Sequence, residues 1–152
     1  MKTIMPLEGL KVVELAAWVF VPATGGHLAD MGADVIKIER PVVGDPCRGV
    51  MGHIPASDFN YTFEMINRNK KSIVLDLKNE SARSIVHKLI EKSDVFITNY
   101  KSNTLEEFNL DYDTLSRINP ELIYGMGSGW GQHGAPDPDE NVFDYLAFAR
   151  SG

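Results

Sequence analysis

The sequence predicts a doubly wound α/β fold, a mostly parallel sheet with helices on both faces. Three observations carry this. Five short apolar runs rich in β-branched residues recur along the chain, the segments between them carry helical signals, and the runs are apolar nearly throughout. Near-continuous apolar strands suit a parallel sheet covered on both sides better than a sheet with one wet face. Alternation of strand and helix is the pattern of doubly wound sheets.

The elements follow in order. The first strand is Lys11–Leu15, and residues 22–31 then read as a helix stopped by Gly32, where a left-handed cap costs glycine little. Residues 35–39 form the second strand, followed by a Gly- and Pro-rich loop over 41–57. The third strand is 72–77. The clearest helix, 80–92, places Ala82, Ile85, Val86, Leu89 and Ile90 on one face, with Arg83, Lys88 and Glu91 outside; Asn79 is its expected N-cap. The fourth strand is Val95–Thr98. A short helix takes Asp111 as cap and ends before Asn119-Pro120, because the residue preceding proline disfavours helix. Residues 122–126 make the fifth strand, and 130–141, with Pro136, Pro138 and several acids, make a loop.

At 152 residues, one domain with its own core is expected. The formal net charge of −6 argues against general nucleic-acid binding, which needs basic residues to neutralise phosphates. Cys47 is the single cysteine, so no intrachain disulfide can form, in keeping with a reducing compartment. No apolar signal core follows Met1, and no stretch approaches the ~20 apolar residues of a membrane span. A soluble, cytoplasmic protein is the expectation.

Ligands of doubly wound sheets sit at the carboxyl ends of the strands. The residues to inspect are therefore Ala16 to Pro22, Glu39-Arg40-Pro41, Asn99-Tyr100-Lys101 and the glycine-rich stretch 125–134. Arg40 stands at the tip of the second strand, where a nucleotide with an extra ribose phosphate needs a bidentate cation; the alternative is a solvated surface arginine. The G-x-G-x-x-G of Gly129-Trp130-Gly131-Gln132-His133-Gly134 is a decoy. A dinucleotide fingerprint must join the first strand to a helix N-terminus, whereas this one follows the fifth strand and runs into Ala135-Pro136-Asp137-Pro138. It reads as a turn or lid.

Asp137, Asp139 and Glu140 lack the ligand pattern of a calcium loop, so a solvated acidic loop is expected there, and no metal. The four histidines, His27, His53, His87 and His133, do not cluster in sequence. His87 lies beside core positions of its helix and reads as a surface or boundary residue. Cys47, in a Gly-Asp-Pro-Cys-Arg loop, lacks the neighbouring base that a nucleophile requires.

Several blocks then resemble one family. Pro6-Leu7-Glu8-Gly9-Leu10-Lys11-Val12-Val13-Glu14-Leu15 and Leu28-Ala29-Asp30-Met31-Gly32-Ala33-Asp34-Val35-Ile36-Lys37-Ile38-Glu39 are similar to the opening of family III CoA-transferases, the group of formyl-CoA transferase, carnitine CoA-transferase and bile-acid-inducible F. Asn67-Arg68-Asn69-Lys70-Lys71-Ser72-Ile73-Val74-Leu75-Asp76-Leu77-Lys78 agrees in order. So do Ser93-Asp94-Val95-Phe96-Ile97-Thr98-Asn99-Tyr100, Asn119-Pro120-Glu121-Leu122-Ile123-Tyr124 and Ser128-Gly129-Trp130-Gly131. The likeness covers essentially the whole chain.

The resemblance implies a Rossmann-like N-terminal domain that binds coenzyme A, in a longer chain forming an interlocked homodimer. It implies CoA contacts at Val19 and Phe20, at Arg40 near the adenosine phosphate, at Leu75 and Lys78, at Asn99, Tyr100 and Lys101, and at Phe143 and Asp144. One contact that is basic in the family falls on Glu107 here, which departs from the pattern. The implied reaction moves CoA between an acyl-CoA and a free carboxylic acid through mixed-anhydride and enzyme-CoA thioester intermediates on an aspartate. That aspartate is expected beyond Gly152, so the chain reads as an N-terminal fragment without a catalytic residue of its own.

Two alternatives accompany this reading. One is a CoA-binding or structural unit without activity. The other is an α-methylacyl-CoA racemase, whose family members carry a histidine before the aspartate of the block Phe143-Asp144-Tyr145-Leu146-Ala147; phenylalanine cannot move a proton. The block from Phe143 to Gly152 looks most like the subgroup acting on 2-hydroxy acids. Phe143, Tyr145 and Phe148 would offer an apolar wall for a branched or aromatic acyl chain, or else pack their own helix, since Tyr145 and Phe148 share a face.

Overall fold

The computed structural model describes residues 5–49, 60–131, 140 and 142–151. Five strands, β1 (Lys11–Leu15), β2 (Asp34–Glu39), β3 (Lys71–Val74), β4 (Val95–Thr98) and β5 (Ile123–Met126), form one sheet in the order β3-β2-β1-β4-β5. All four pairings are parallel. This is the strand order of dinucleotide-binding sheets, in which the chain winds outward from β1 first one way and then the other.

Successive side chains of a strand point to opposite faces, so the apolar runs feed two cores. Val13, Leu15, Ile38 and Phe96 pack with Ala82, Val86 and Ile90 of α3 (Glu80–Ile90), Leu105 of α4 (Ser102–Glu107) and Leu115 of α5 (Tyr112–Ile118). On the other face Val12, Val35, Val95 and Ile97 pack with Val21 and Ala29 of α1 (Phe20–Asp30). A further small core joins Phe63 and Ile66 of α2 (Tyr61–Asn67) to Cys47. The last helix is α6 (Asp144–Ser151).

Most expected elements are present, with differences at their ends. Gly32 caps α1 with φ +104°, its N–H donating to Ala29 O at 3.0 Å. Asp111 caps α5 as expected, its Oδ1 accepting from Thr114 N at 2.9 Å. The third strand is shorter than predicted: the ladder ends at Val74, and Asp76 turns the chain by accepting Asn79 N at 2.9 Å. Leu75 and Leu77 are buried in the core from outside the sheet. Asn79 holds the N-cap position of α3 without capping it, because its side-chain amide donates to Asp76 Oδ2 instead. Ile85, expected in the core, is 41% exposed; burial runs along Ala82, Val86 and Ile90 alone, with Leu89 partly covered.

The loop after β2 holds a short 3-10 turn, Pro46–Arg48. Its remainder over 50–57 lies outside the described residues, as do His53, His133, Asp137 and Asp139. Two helices, α2 and α4, fall where no helix was predicted. Among the described residues no helix is long and apolar enough to cross a membrane.

Candidate functional site

The strand order reverses between β1 and β4, and the loops leaving their carboxyl ends open a crevice there. Ala17 and Asn99 face each other across it. Asn99 Oδ1 accepts from Ala17 N at 3.0 Å and Asn99 Nδ2 donates to Ala17 O at 2.8 Å. Trp18 follows with φ +69°, a left-handed conformation that a bulky residue rarely adopts. Its ring meets Phe143 edge-on, with centroids 5.9 Å apart. The chain then enters α1, whose amino end has no side-chain cap and no acidic residue in its first turn. Uncapped amides and the helix dipole make such an end hospitable to anions.

Beside this loop lies a cleft of about 200 Å³, lined by Ala16, Ala17, Trp18, Arg40, Asp45 and Tyr100, among others. Arg40 is exposed, and its Nε donates to Gly44 O at 3.1 Å. Tyr100 is half-buried; burial pushes its phenol up, and the charges of Arg40 and Lys37 oppose the rise.

Beneath the cleft is a buried charge cluster. Glu14 and Lys37 are partners in the β1–β2 register, and their side chains point toward α1. Lys37 Nζ contacts Glu14 Oε1 at 2.9 Å, Asp45 Oδ2 at 2.9 Å and Ala16 O at 2.7 Å. Lys70 Nζ contacts Glu14 Oε2 at 2.8 Å, Pro22 O at 2.7 Å and Asn67 Oδ1 at 2.8 Å. Each charge therefore has an opposite partner, the condition under which ions tolerate an interior. Burial works to lower the pKa of Lys37, but Glu14 and Asp45 outweigh it and hold the group above its ordinary value. For Lys70 burial prevails, and its pKa is lowered.

A second carboxylate closes the loop after β2. Glu39 Oε2 accepts from Asp45 N at 3.0 Å and Arg48 Nε at 2.9 Å, while Oε1 accepts from Arg48 Nη2 at 2.8 Å and Ser72 Oγ at 2.7 Å. Burial opposes ionisation, yet these four bonds hold the Glu39 carboxyl at about 2. Arg48 also covers the Phe63 ring, 3.8 Å from its centroid.

Of the CoA contacts that the resemblance implies, Arg40 and Tyr100 line the cleft itself, together with Ala16, Ala17, Trp18 and Glu39 from the strand ends marked for inspection. Asn99 is spent on clamping Ala17, and Phe143 reaches the site through Trp18. Phe20 is exposed at the start of α1, lying close against Gly127 of the segment after β5. Val19 occupies the N-cap position of α1 and packs against the small Cys47 core, and Lys101 occupies the N-cap position of α4. Leu75 is buried, its N–H donating to Glu39 O at 2.9 Å, and Lys78 is exposed with its N–H on Asp76 Oδ1. Neither lines the cleft. Asp144 opens α6, but its side chain lies outside the described residues. Glu107 is exposed on α4.

Trp18 lies in the stretch after β1 that position alone marks for inspection, whereas Glu14, Lys37, Asp45 and Lys70 were not singled out from sequence as site residues. A signal existed: Glu14 and Lys37 are charges inside otherwise apolar strands, where an unpaired charge could not stay. The glycine-rich segment 127–131 follows β5, and no helix begins there among the described residues, so it does not have the strand-to-helix context of a dinucleotide fingerprint.

Comparison with known proteins gives one consistent result. The chain is 43% identical over 149 residues to the cinnamoyl-CoA:phenyllactate CoA-transferase of Clostridium sporogenes, covering 95% of this chain and 36% of that protein. It is 42% identical over 152 residues to the (R)-2-hydroxy-4-methylpentanoate CoA-transferase of Clostridioides difficile, covering 97% and 38%. A crystal structure of a CAIB/BAIF family protein from Brucella suis superposes with TM-score 0.84 at 38% identity, covering 95% and 38%. The chain thus spans a little over a third of the length of these relatives. The family model of CoA-transferase family III matches residues 7–152, and with the parallel sheet and its crevice in place, the chain belongs to that family.

Proposed function

We propose that this chain supplies the coenzyme A-binding part of an enzyme that moves CoA between an acyl-CoA and a free carboxylic acid. One observation carries the reading: at the reversal point of the sheet, an exposed guanidinium, Arg40, and an uncapped helix end stand beside a cleft with aromatic walls. Those are the groups that a phosphate-bearing nucleotide with an adenine ring calls for. Val19, Phe20, Leu75, Lys78, Lys101, Phe143 and Asp144 are proposed to extend the CoA contacts outside the cleft. Asn99 serves by fixing the loop. The reacting aspartate is proposed to follow Gly152 in the whole protein, a cytoplasmic homodimer without a metal.

In this reaction the incoming carboxylate gains the thioester and the original acyl group leaves as its acid, so no oxidant or reductant is needed. Phe143, with its ring against Trp18, disfavours proton abstraction at the α-carbon, hence a transferase and not a racemase. The proposed acid is a 2-hydroxy acid with a branched or aromatic chain. Tyr145 and Phe148 are 87% and 73% exposed on α6 rather than buried in the core, which supports reading them as part of that wall.

Calorimetric titration with CoA tests binding, and incubation of the whole protein with acyl-CoA and acid, followed by hydroxylamine trapping, tests transfer. Binding with no trapped acyl adduct would support the rival reading, a CoA-binding unit without activity. Preference for oxalate or formate over 2-hydroxyisocaproate or phenyllactate would remove the substrate assignment.

A further inference from the structure

We propose that Asp45 is a positioning residue for the CoA cleft, acting by holding Trp18 in its left-handed conformation. The inference rests on the CoA-binding reading of that cleft.

The backbone leaving β1 is held at four successive polar groups. Ala16 O accepts from Lys37 Nζ at 2.7 Å, Ala17 N and O are both taken by Asn99, and Trp18 N donates to Asp45 Oδ1 at 3.0 Å. The first three bonds fix the approach to Trp18. Only the fourth acts on the residue whose φ, +69°, is costly for a side chain of this size.

Asp45 is built for the task. It is 2% exposed, its Oδ1 also accepts from Cys47 N at 2.9 Å, and its Oδ2 lies 2.9 Å from Lys37 Nζ. The same carboxylate therefore ties the loop after β2, which carries Arg40, to the loop after β1, which carries Trp18. Both loops wall the cleft, and Asp45 links them directly through Trp18 N and again through Lys37, which also holds Ala16 O. Sub-ångström placement of this kind decides whether groups from different strands meet one ligand.

A double-mutant cycle tests this, with CoA affinity of the chain read by calorimetry. Glycine takes positive φ as readily as negative, so Trp18→Gly removes the need for a clamp. Asp45→Ala is expected to weaken CoA about 10- to 100-fold with Trp18 present, and less than about 3-fold in the Trp18→Gly background. Asp45→Asn keeps the two bonds accepted by Oδ1 but turns an amide N–H group toward Lys37 Nζ, so it is expected to recover only part of the loss. If Asp45→Ala does not fold, Asp45→Ser takes its place, because it leaves a polar atom near Lys37 yet falls short of the Trp18 amide. Equal losses in the two backgrounds, or no loss in either, overturn the proposal while the CoA reading stands. A wild-type chain that binds no CoA overturns the CoA reading, and the positioning role with it.

Discussion

Asn99 and Ala17 exchange two hydrogen bonds across the reversal point of the sheet, 3.0 Å from Ala17 N to Oδ1 and 2.8 Å from Nδ2 to Ala17 O. One side chain thus satisfies both backbone groups of a residue on the opposite loop, as a neighbouring strand would. Asn99→Ala leaves that N–H and C=O half-buried and without partners, at a cost of about 1–3 kcal/mol. Urea denaturation would register it. Asn99→Asp keeps the acceptor but sets an oxygen against Ala17 O, so it is expected to recover only part of the loss.

The Glu39 carboxyl, at about 2 against an ordinary 4.5, makes the fold acid-sensitive. A carboxyl lowered in the folded state contributes fully above its unfolded pKa and loses that contribution as the pH falls toward its folded value. Here the window runs from about 4.5 down to about 2. The contribution is on the order of 2 kcal/mol, discounted because water screens the half-exposed Arg48. The stability difference between wild type and Glu39→Gln should shrink steadily through that window, and a difference independent of pH would contradict it.

Gly25 and Gly26 let α1 lie directly on its neighbours. A Cβ at Gly25 would collide with Oε2 of Glu14, a carboxylate held by Lys70 at Oε2 and Lys37 at Oε1, and one at Gly26 would come 2.6 Å from Ile66 O. Gly25→Ala should therefore destabilise the chain by about 1–3 kcal/mol, although alanine is the better helix former by about 1 kcal/mol. Gly49→Ala, whose Cβ among the described residues meets only Pro46 O at 3.9 Å, serves as the control and should change little. Thermal melts of the two variants decide.

Among the described residues Arg40 makes one side-chain bond, from Nε to Gly44 O, which leaves its remaining N–H groups for a ligand. Arg40→Ala should weaken CoA by about 1.5–3 kcal/mol. Removing the ribose phosphate should hurt the wild type and barely affect the variant. If dephospho-CoA is penalised equally in both, Arg40 does not hold that phosphate.

The fold was readable because its signals are local. Lys11–Leu15 and Val95–Thr98 were placed at both ends, and Asp111 and Gly32 announce their helix boundaries through chemistry within a few residues. The short helices α2 and α4 gave too few periods to see, and the end of β3 depends on Asp76 engaging Asn79 rather than on β propensity. The site divides in the same way. Arg40 and Tyr100 follow strand ends and could be found by position. The Asp45–Trp18 bond and the Glu14–Lys37–Lys70 cluster join residues 23 to 56 positions apart, a coupling that sequence order does not display.

The buried cluster also shapes how a ligand arrives. Within the cluster two lysines and two acids cancel, so it does nothing to offset the chain's formal net charge of −6. A polyanion such as CoA approaches against that field until it comes within about 10 Å of Arg40. Added salt shortens the reach of the repulsion, so moderate ionic strength should quicken encounter, the reverse of the behaviour of proteins that steer anions with a basic surface.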